Sequence, residues 1–369
     1  MSRVLAARLD SDGDVLLTGP ALRALAASAD RLDLLVAPAG RAAAELLPAV
    51  AEVLVFDAPW SGYAPAPVDP RAVHALVGTL AARRYDRAVI FTSFHQSPLP
   101  MALLARLAGI GFLAATSVDY PGSLLDVRHR RPAGLHEVEA ALDLARAAGG
   151  ALPDGDDGRL ALRGPPPPVD HLVPAAPYVV LHPGASVPAR SLGPAHAGAI
   201  AAALRAAGWA VVVTGGPAET GLAAAVRDRA TGLGGLGTAA HGGLHRTPVP
   251  GGDGVRPGPP PAVLAGRTSL AELAAVLAGA ACVVVGNTGP AHLAAAVGTP
   301  VVSLFSPVVP AERWAPYGTA TVLLGDQDAA CRDTRARECP TPGHPCLTAV
   351  PPESVVAAVG SLVRAGVAV

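Results

Sequence analysis

Lysine is absent from this chain of 369 residues, and all 28 of its basic residues are arginine. The absence excludes catalysis through a lysine Schiff base, and it excludes a P-loop nucleotidase of the usual kind, which needs its lysine on the phosphates. An anionic ligand must therefore be held by arginine, histidine, hydroxyl groups or backbone N–H groups. Charged residues are scarce as well, at 15% against 51% hydrophobic residues, and this balance excludes a disordered chain.

Long hydrophobic runs and a strong net charge are also lacking. No stretch approaches the ~20 uninterrupted apolar residues of a membrane-spanning helix, and the opening MSRVLAARLDSDGD becomes charged too early for a secretory signal. The net charge of −1 gives the chain no general affinity for nucleic acid or for an anionic membrane surface. We therefore expect a cytoplasmic protein without a nucleic-acid partner and with at most peripheral membrane association.

Cysteine occurs four times, in a compartment expected to be reducing, where structural disulfides are rare. Cys282 lies in the apolar run ACVVVG and is predicted to be a small buried hydrophobic residue. Cys331, Cys339 and Cys346 share one stretch with His344, but their spacing lacks the C-x-x-C pair of a typical zinc site. We therefore expect a structural loop there and no bound metal.

Short apolar runs alternate with helical segments in two successive series, which predicts parallel sheets covered by helices on both faces. The run PPPPV at 165–169 cannot join a sheet, and we interpret it as part of a linker. The predicted organisation is an N-terminal domain at 1–164, a linker at 165–175, a C-terminal domain at 176–350 and a C-terminal helix at 351–369. Open sheets bind ligands beyond the carboxyl ends of their strands, so two such domains would offer a cleft.

A Gly/Pro-rich segment at 231–262 interrupts the second series. Its composition is unsuited to packing a core, and we predict a flexible surface insertion. His241 and His245 lie within this segment. A pair of loop histidines could bind a metal ion, but we expect these two to be solvated.

Three carboxylates in five residues follow the first predicted strand, in the loop DSDGD at 10–14. Such a cluster at the carboxyl end of a strand can supply a general base, and its glycine allows a tight turn. Acidic residues also favour a helix N-terminus whatever the function, so the spacing supports both interpretations. The following helix is predicted from about Asp14 to Ser28, with a kink or a fresh start at Pro20.

A second polar cluster follows the buried strand CVVVG, where Asn287, Thr288 and Gly289 precede a predicted helix. Thr288 can cap that helix, Gly289 allows a ligand to approach the backbone, and His292 lies one turn further on the same side. The free N–H groups of a helix start attract anions, so this spacing is consistent with a phosphate site. It is equally consistent with an ordinary capped turn and a surface histidine.

Two further loops carry groups that suit a nucleotide. Ser186 and Arg190 follow the Pro-Gly turn after YVVLH, and their hydroxyl and guanidinium groups suit phosphate oxygens. Glu219 follows the turn GGP after WAVVVT, and a carboxylate there can bind ribose hydroxyls. Taken alone, the first loop is better explained as a plain turn with a solvated arginine, and Glu219 is also typical of an ordinary helix start.

Taken together, these segments resemble glycosyltransferase family 9, the ADP-heptose:lipopolysaccharide heptosyltransferase family. The matching segments occur in the family's order over nearly the whole chain: SDGDVLLTGPAL (11–22), HPGAS (182–186) with Arg190, GGPAE (215–219), the run from Asn287 to Phe305, and PVVPAERWAPYG (307–318).

The resemblance implies an α/β fold of the GT-B type, with two doubly wound, Rossmann-like domains facing across a cleft. It implies an inverting glycosyltransferase without cofactor or metal, which takes a sugar from a nucleotide-diphosphate sugar, ADP-heptose being the expected donor, to a saccharide or glycoconjugate acceptor. The family's general base corresponds to Asp14, with Ser11 and Gly13 in the acceptor-side loop, while Asp10 and Asp12 are expected to stay solvated. The donor-binding positions correspond to Ser186, Arg190, Glu219, Asn287, Thr288, Gly289 and His292.

Two departures from the family pattern bear on the donor. Asn287 stands where the family has aspartate, and Arg190-Ser191-Leu192 stands where the family has two basic residues and tryptophan. Either change could alter the choice of donor, although the backbone N–H groups and Thr288 remain. The alternative functions are a nucleotide-sugar epimerase and a non-catalytic nucleotide-sugar binding protein of the same architecture.

Overall fold

The computed structural model of the protein describes residues 2–62, 65–93, 96–232 and 256–367. The chain divides into two compact units. The first comprises Met1–Pro165, Ala295–Val297 and Glu312–Gly318, and the second comprises Pro166–Ala294, Gly298–Ala311 and Thr319–Val369. Most of the insertion predicted at 231–262, including His241 and His245, lies outside the described residues.

Parallel strands form the sheet of the first unit, and helices connect them. The strands are β1 (Arg3–Arg8), β2 (Arg31–Val36), β3 (Glu52–Val55), β4 (Arg87–Phe91), β5 (Phe112–Thr116) and β6 (Val127–His129). The helices are α1 (Asp12–Ala26), α2 (Arg41–Glu45), α3 (Pro70–Arg83), α4 (Leu99–Leu107) and α5 (Glu137–Ala147).

The order of these strands is β3-β2-β1-β4-β5-β6, and each neighbouring pair is parallel. The winding therefore reverses between β1 and β4, which is where a doubly wound sheet has its ligand-binding crevice. The central strands are apolar because helices cover both faces of the sheet. In β1 the side chains from Val4 to Ala7 are at most 1% exposed, whereas Arg8 at its carboxyl end is a buried charge.

Helix α1 begins two residues earlier than predicted and continues through Pro20, so a fresh start of the helix at Pro20 is wrong. A proline inside a helix removes one backbone hydrogen bond and costs about 3 kcal/mol. Leu16, Leu17 and Leu22 of the same helix are each at most 2% exposed. Burial of one such side chain contributes about 1.5–3 kcal/mol, so the packing of α1 against β1 and α5 offsets the cost of the proline.

A short stretch of the later sequence, Glu312–Gly318, packs with the first unit. The ring of His136, at the start of α5, bonds through Nε2 to the carbonyl oxygen of Ala315 at 2.9 Å. The Tyr317 ring lies 4.8 Å from the His136 ring, and its hydroxyl donates to Glu139. The stretch Glu312–Gly318 is thus bound to the start of α5 through Ala315 and Tyr317.

The second unit repeats the same architecture. Its strands are β7 (Tyr178–His182), β8 (Ala210–Val213), β9 (Ala262–Val263), β10 (Cys282–Gly286), β11 (Val301–Leu304) and β12 (Thr321–Leu324). The helices of this half of the chain are α6 (Pro194–Ala206), α7 (Thr220–Ala230), α8 (Leu270–Ala278), α9 (Gly289–Ala296), α10 (Ala311–Trp314), α11 (Pro345–Thr348) and α12 (Pro352–Val367).

The order in this sheet is β12-β11-β10-β7-β8-β9, again parallel throughout, and the winding reverses between β7 and β10. Strands β5, β6 and β9 were not predicted. Strand β9 has two residues and lies at the end of the Gly/Pro-rich segment, where we expected no core packing. The end of that segment is nevertheless held, because Gly258 donates its N–H to the carbonyl oxygen of Arg205 at 2.8 Å.

The four cysteines are free thiols. Cys282 is fully buried in β10, and burial raises the pKa of its thiol to about 12, which confirms its predicted core role. Cys331 packs in a small core with Val187 and Val308, and Cys346 is also buried. Cys331 and Cys346 therefore contribute to packing, as expected of a structural loop.

No helix among the described residues is both long enough and apolar enough to cross a membrane.

Candidate functional site

The carboxyl edge of the second sheet gathers every donor-site residue predicted from the sequence. Strands β10, β7 and β8 are neighbours in the sheet and run parallel, so the loops that follow them lie side by side. Ser186 and Arg190 follow β7, Glu219 follows β8, and Asn287 and the start of α9 follow β10. The reversal of winding falls between the first and the third of these loops.

The loop after β7 packs closely on the end of β10. Arg190 ends a short 3-10 helix, Pro188–Arg190, and is partly exposed, while Ser186 is exposed. A Cβ added at Gly286 would lie 2.6 Å from the carbonyl oxygen of Arg190. Only glycine therefore allows this approach, which brings Arg190 beside the loop that begins at Asn287.

The side chain of Glu219 lies against the loop that follows β7. One oxygen of its carboxylate, Oε2, accepts the N–H of Gly216 at 2.7 Å. A Cβ added at Gly184 would lie 1.9 Å from the other oxygen, Oε1, so the glycine of HPGAS leaves the space that the carboxylate fills. His182 lies beneath, with Nδ1 bonded to Thr214 Oγ1 at 3.0 Å and Nε2 3.9 Å from Glu219 Oε2. Burial lowers the pKa of His182, and Glu219 opposes that shift.

Asn287 ties two loops together. Its amide oxygen accepts the N–H of Ser306, and its amide nitrogen donates to the carbonyl oxygen of Ser306, each at 3.1 Å. The side chain is 5% exposed. An aspartate could accept the first bond but could not donate the second. The asparagine that distinguishes this chain from the family pattern is thus matched to both backbone groups of Ser306.

Helix α9 starts at Gly289, directly after Thr288. The N–H of Thr288 donates to the carbonyl oxygen of Gly286 at 2.9 Å, which closes a tight turn at the end of β10. Thr288 and Gly289 are partly exposed, so the helix N-terminus is accessible to a ligand. His292 is only 6% exposed, and the alternative of a surface histidine is therefore wrong.

In the first unit the loop after β1 carries the predicted base. Asp14 lies in the first turn of α1 and its side chain is 22% exposed. Arg8 donates from Nη2 to Asp14 Oδ1 at 3.0 Å, and the hydroxyl of Ser11 donates to Oδ2 at 3.0 Å. Gly13, which lies between Ser11 and Asp14 in the sequence, is buried. Both carboxylate oxygens are therefore oriented, and each retains a lone pair for a further bond.

The other two carboxylates of this loop differ from expectation. Asp10 is not solvated, because its side chain is 8% exposed and pairs with Arg8, whose Nε lies 2.9 Å from Oδ2. The side-chain amide of Gln96 also donates to Asp10 Oδ1 at 2.6 Å. Asp12 is half-buried and accepts the N–H of Ala43 at 2.9 Å. Their positions in a turn do not reveal these partners, since the loop after β4 brings Gln96 to Asp10 and helix α2 brings Ala43 to Asp12.

An open pocket lies at the same edge of the first sheet. Its polar lining includes Arg8, Ser93, Thr116, Arg131 and Glu137. None of these five residues was predicted from the sequence. Four of them stand at or just after the carboxyl end of a strand, and that position relative to β1, β4, β5 and β6 is the signal that could have found them.

Among the described residues, no group of three or more histidine, cysteine, aspartate or glutamate side chains is arranged to hold a metal ion.

Sequence comparison finds relatives of one kind. The family model described as glycosyltransferase family 9 (heptosyltransferase) matches residues 73–237 and 254–344. The chain is 30% identical to lipopolysaccharide heptosyltransferase 3 of Escherichia coli over 197 residues, which are 53% of this chain and 49% of that protein. The chain thus spans about half the length of this curated relative.

Two solved structures share the fold over most or all of the chain. The E. coli ADP-heptose lps heptosyltransferase II has a TM-score of 0.71 at 18% identity and covers 99% of both chains. The E. coli heptosyltransferase WaaC with ADP-2-deoxy-2-fluoro heptose has a TM-score of 0.61 at 22% identity, over 88% of this chain and 94% of that one. At these identities the likeness concerns the fold, and it confirms the predicted α/β class with two doubly wound units.

Proposed function

The chain belongs to glycosyltransferase family 9, and on that premise we propose that it transfers a sugar from a nucleoside diphosphate sugar to a hydroxyl of a saccharide or glycoconjugate. The proposed donor is ADP-heptose. The observation that carries the proposal is the arrangement of the loops after β7, β8 and β10 at one sheet edge. The heptosyltransferase relative and the WaaC structure with an ADP-heptose analogue support the choice of donor.

The diphosphate is assigned to Ser186, Arg190 and the N-terminus of α9, with Thr288, Gly289 and His292 beside it. A helix N-terminus supplies unpaired N–H groups and positive potential, and an arginine can bind two phosphate oxygens at once. These groups replace the lysine that the chain lacks. The neutral amide of Asn287 adds no negative charge beside the diphosphate.

The ribose is assigned to Glu219, whose carboxylate is held by Gly216 and lies over Gly184. A carboxylate at the end of the strand next to the phosphate site is a common partner of ribose hydroxyls in doubly wound folds.

The proposed reaction is a single displacement. Asp14 takes the proton from the acceptor hydroxyl, the oxygen forms a bond to the anomeric carbon, and the bond from that carbon to the diphosphate oxygen breaks. The configuration at the anomeric carbon is inverted, and the nucleoside diphosphate leaves with the electron pair. Arg190 and the helix N-terminus stabilise the charge that develops on the leaving group.

A screen of donors tests this proposal. A ligand that binds only the folded state raises the melting temperature, so we expect ADP-heptose to raise it more than UDP-, GDP- and dTDP-sugars do. Addition of saccharide acceptors should then release ADP. If the protein binds ADP-heptose but releases no ADP with any acceptor, it is a non-catalytic binding protein. If it converts the donor in the absence of an acceptor, it is an epimerase.

A further inference from the structure

Three side chains of the first unit form a continuous hydrogen-bonded row. Thr116 ends β5 and His129 ends β6, and the two residues are register partners in the parallel pair. Thr116 Oγ1 lies 2.7 Å from His129 Nδ1, and His129 Nε2 lies 2.9 Å from Oδ2 of Asp143 on α5. His129 is 8% exposed. The histidine ring is therefore fixed at both nitrogens.

When the ring of His129 is neutral, the row determines which atom carries each proton. An ionised carboxylate only accepts hydrogen bonds, so Asp143 requires the proton of the imidazole on Nε2. In the neutral ring the other nitrogen, Nδ1, is then an acceptor, and the Thr116 hydroxyl must donate to it. A threonine hydroxyl has one proton, which this bond uses. The oxygen of Thr116 can therefore only accept a bond from any further partner.

Thr116 lines the open pocket of the first unit together with Arg8 and Arg131. The two arginines present donors, part of whose capacity is used by Asp14 and by Glu137. Thr116 thus places an acceptor beside two arginine donors of the pocket wall. A ligand group with a hydrogen to donate fits there, whereas a carboxylate, a phosphate or an ether oxygen would face the lone pairs of Thr116.

We propose that Thr116 is a specificity-determining residue for the acceptor, and that its oxygen receives a hydrogen bond from one hydroxyl of the acceptor saccharide. His129 and Asp143 are positioning residues that hold the Thr116 hydroxyl in this role. The inference rests on the proposed function, because it takes the pocket beside Asp14 as the place of the acceptor. The class of ligand is a saccharide with a free hydroxyl at that point.

The variant that tests the proposal is Thr116→Val, which keeps the shape of the side chain and removes the oxygen. The probes are methyl glycosides of glucose, galactose, mannose and a heptose, with the monodeoxy derivatives of whichever binds best. A neutral hydrogen bond contributes about 0.5–1.5 kcal/mol, so we expect the acceptor KM and Kd to rise by about 3–10-fold. The donor KM and kcat should stay unchanged, and Thr116→Ser should restore binding.

A matched control is Thr79→Val, which makes the same change at an exposed position on α3 of the same unit. The monodeoxy derivative that lacks the hydroxyl bonded to Thr116 should bind wild type and Thr116→Val with the same affinity. That affinity should equal the affinity of Thr116→Val for the parent glycoside. If Thr116→Val discriminates among the deoxy derivatives as wild type does, the inference is overturned. A loss in Thr116→Val that Thr116→Ser does not restore would also overturn it.

The results that would contradict the role of Thr116 differ from those that would contradict the proposed transferase function. Donor turnover with saccharide binding that is equal in wild type and Thr116→Val overturns the inference and supports the transferase. Saccharide binding that depends on Thr116, measured by calorimetry without donor, supports the inference even where no donor is turned over, and in that case the transferase proposal fails.

Discussion

The two sheets have the same strand order, but the charged groups at their carboxyl edges differ. In the first unit the reversal of winding between β1 and β4 carries Arg8 paired with Asp10 and Asp14. In the second unit the reversal between β7 and β10 carries Arg190, hydroxyl groups and a helix N-terminus. At the first reversal one arginine orients two carboxylates, whereas at the second reversal Arg190 and a helix N-terminus lie near a single carboxylate, that of Glu219.

This difference shows how one topology supports two tasks. The strand order determines where a ligand can bind, because the crevice forms at the reversal of winding. The loops determine which ligand it is, because they supply the charges and hydrogen-bonding groups. Proton removal suits the first edge, and diphosphate binding suits the second. The predictions below test this division, beginning with the largest expected effect.

The substitution Asp14→Asn should lower turnover by about 10²–10⁴-fold, which is the usual contribution of a positioned base. Donor affinity should be nearly unchanged, because the donor is assigned to the other unit. Steady-state kinetics and a donor titration measure the two quantities. Asp12→Asn is the control and should be close to wild type, since an amide oxygen can still accept the N–H of Ala43. A fully active Asp14→Asn protein would mean that Asp14 only ties Arg8 and Ser11 to the start of the helix.

The substitution Asn287→Asp should destabilise the second unit, although aspartate is the residue of the family pattern. A carboxylate oxygen would replace the amide nitrogen that now donates to Ser306, 3.1 Å from its carbonyl oxygen. A buried acceptor left without its donor costs about 1–3 kcal/mol. Denaturant titration should show this loss in the free energy of unfolding. Stability equal to wild type would contradict the assigned tie between the two loops.

The substitution Gly184→Ala should weaken donor binding by displacing Glu219, because the new Cβ would lie 1.9 Å from Oε1. Loss of a bond to the ribose corresponds to about 3–10-fold in Kd, from about 0.5–1.5 kcal/mol. Gly221→Ala is the matched control, since a Cβ there meets nothing within 4 Å. Equal donor affinity in the two variants would remove Glu219 from the ribose site.

Stability should fall as the pH falls below about 6.5, the usual pKa of histidine. Burial lowers the pKa of His136 in the first unit and of His182 in the second, so the unfolded chain binds these protons more readily. The stabilisation is present above the unfolded pKa and is lost as the pH falls through the folded value. Thermal unfolding between pH 7.5 and 5.5 measures the effect, and His182→Gln should make the curve shallower. An unchanged curve in that variant would contradict this account.

Much of the second edge could be predicted because its residues follow strands in short, recognisable segments. Ser186, Glu219 and Asn287 each lie within a few residues of a buried strand, and the parallel sheet brings them together. The bonding of Asn287 could not be foreseen, because Ser306 is 19 residues away and its backbone groups are defined only by the fold.

The first edge was harder to predict because its chemistry depends on long-range pairs. Arg8 lies at the end of an apolar strand, and its partner Ser93 is 85 residues away. Thr116 ends β5, a short apolar run, and His129 ends β6, which has three residues and no apolar pattern. A fresh start of the helix at Pro20 was predicted wrongly for a related reason, since the burial that keeps α1 continuous comes from tertiary packing.

The most direct test of the account is the affinity for ADP of the Arg190→Ala protein, measured by calorimetry. Arg227→Ala is the control, because Arg227 lies on α7 and pairs with Asp228 at the surface. A hydrogen bond to a charged group contributes about 1.5–3 kcal/mol, so Arg190→Ala should bind ADP about 10–150-fold more weakly than wild type. Arg227→Ala should match wild type. Equal affinity in wild type and Arg190→Ala, in a protein of unchanged melting temperature, would contradict the assignment of the diphosphate to the second unit's edge.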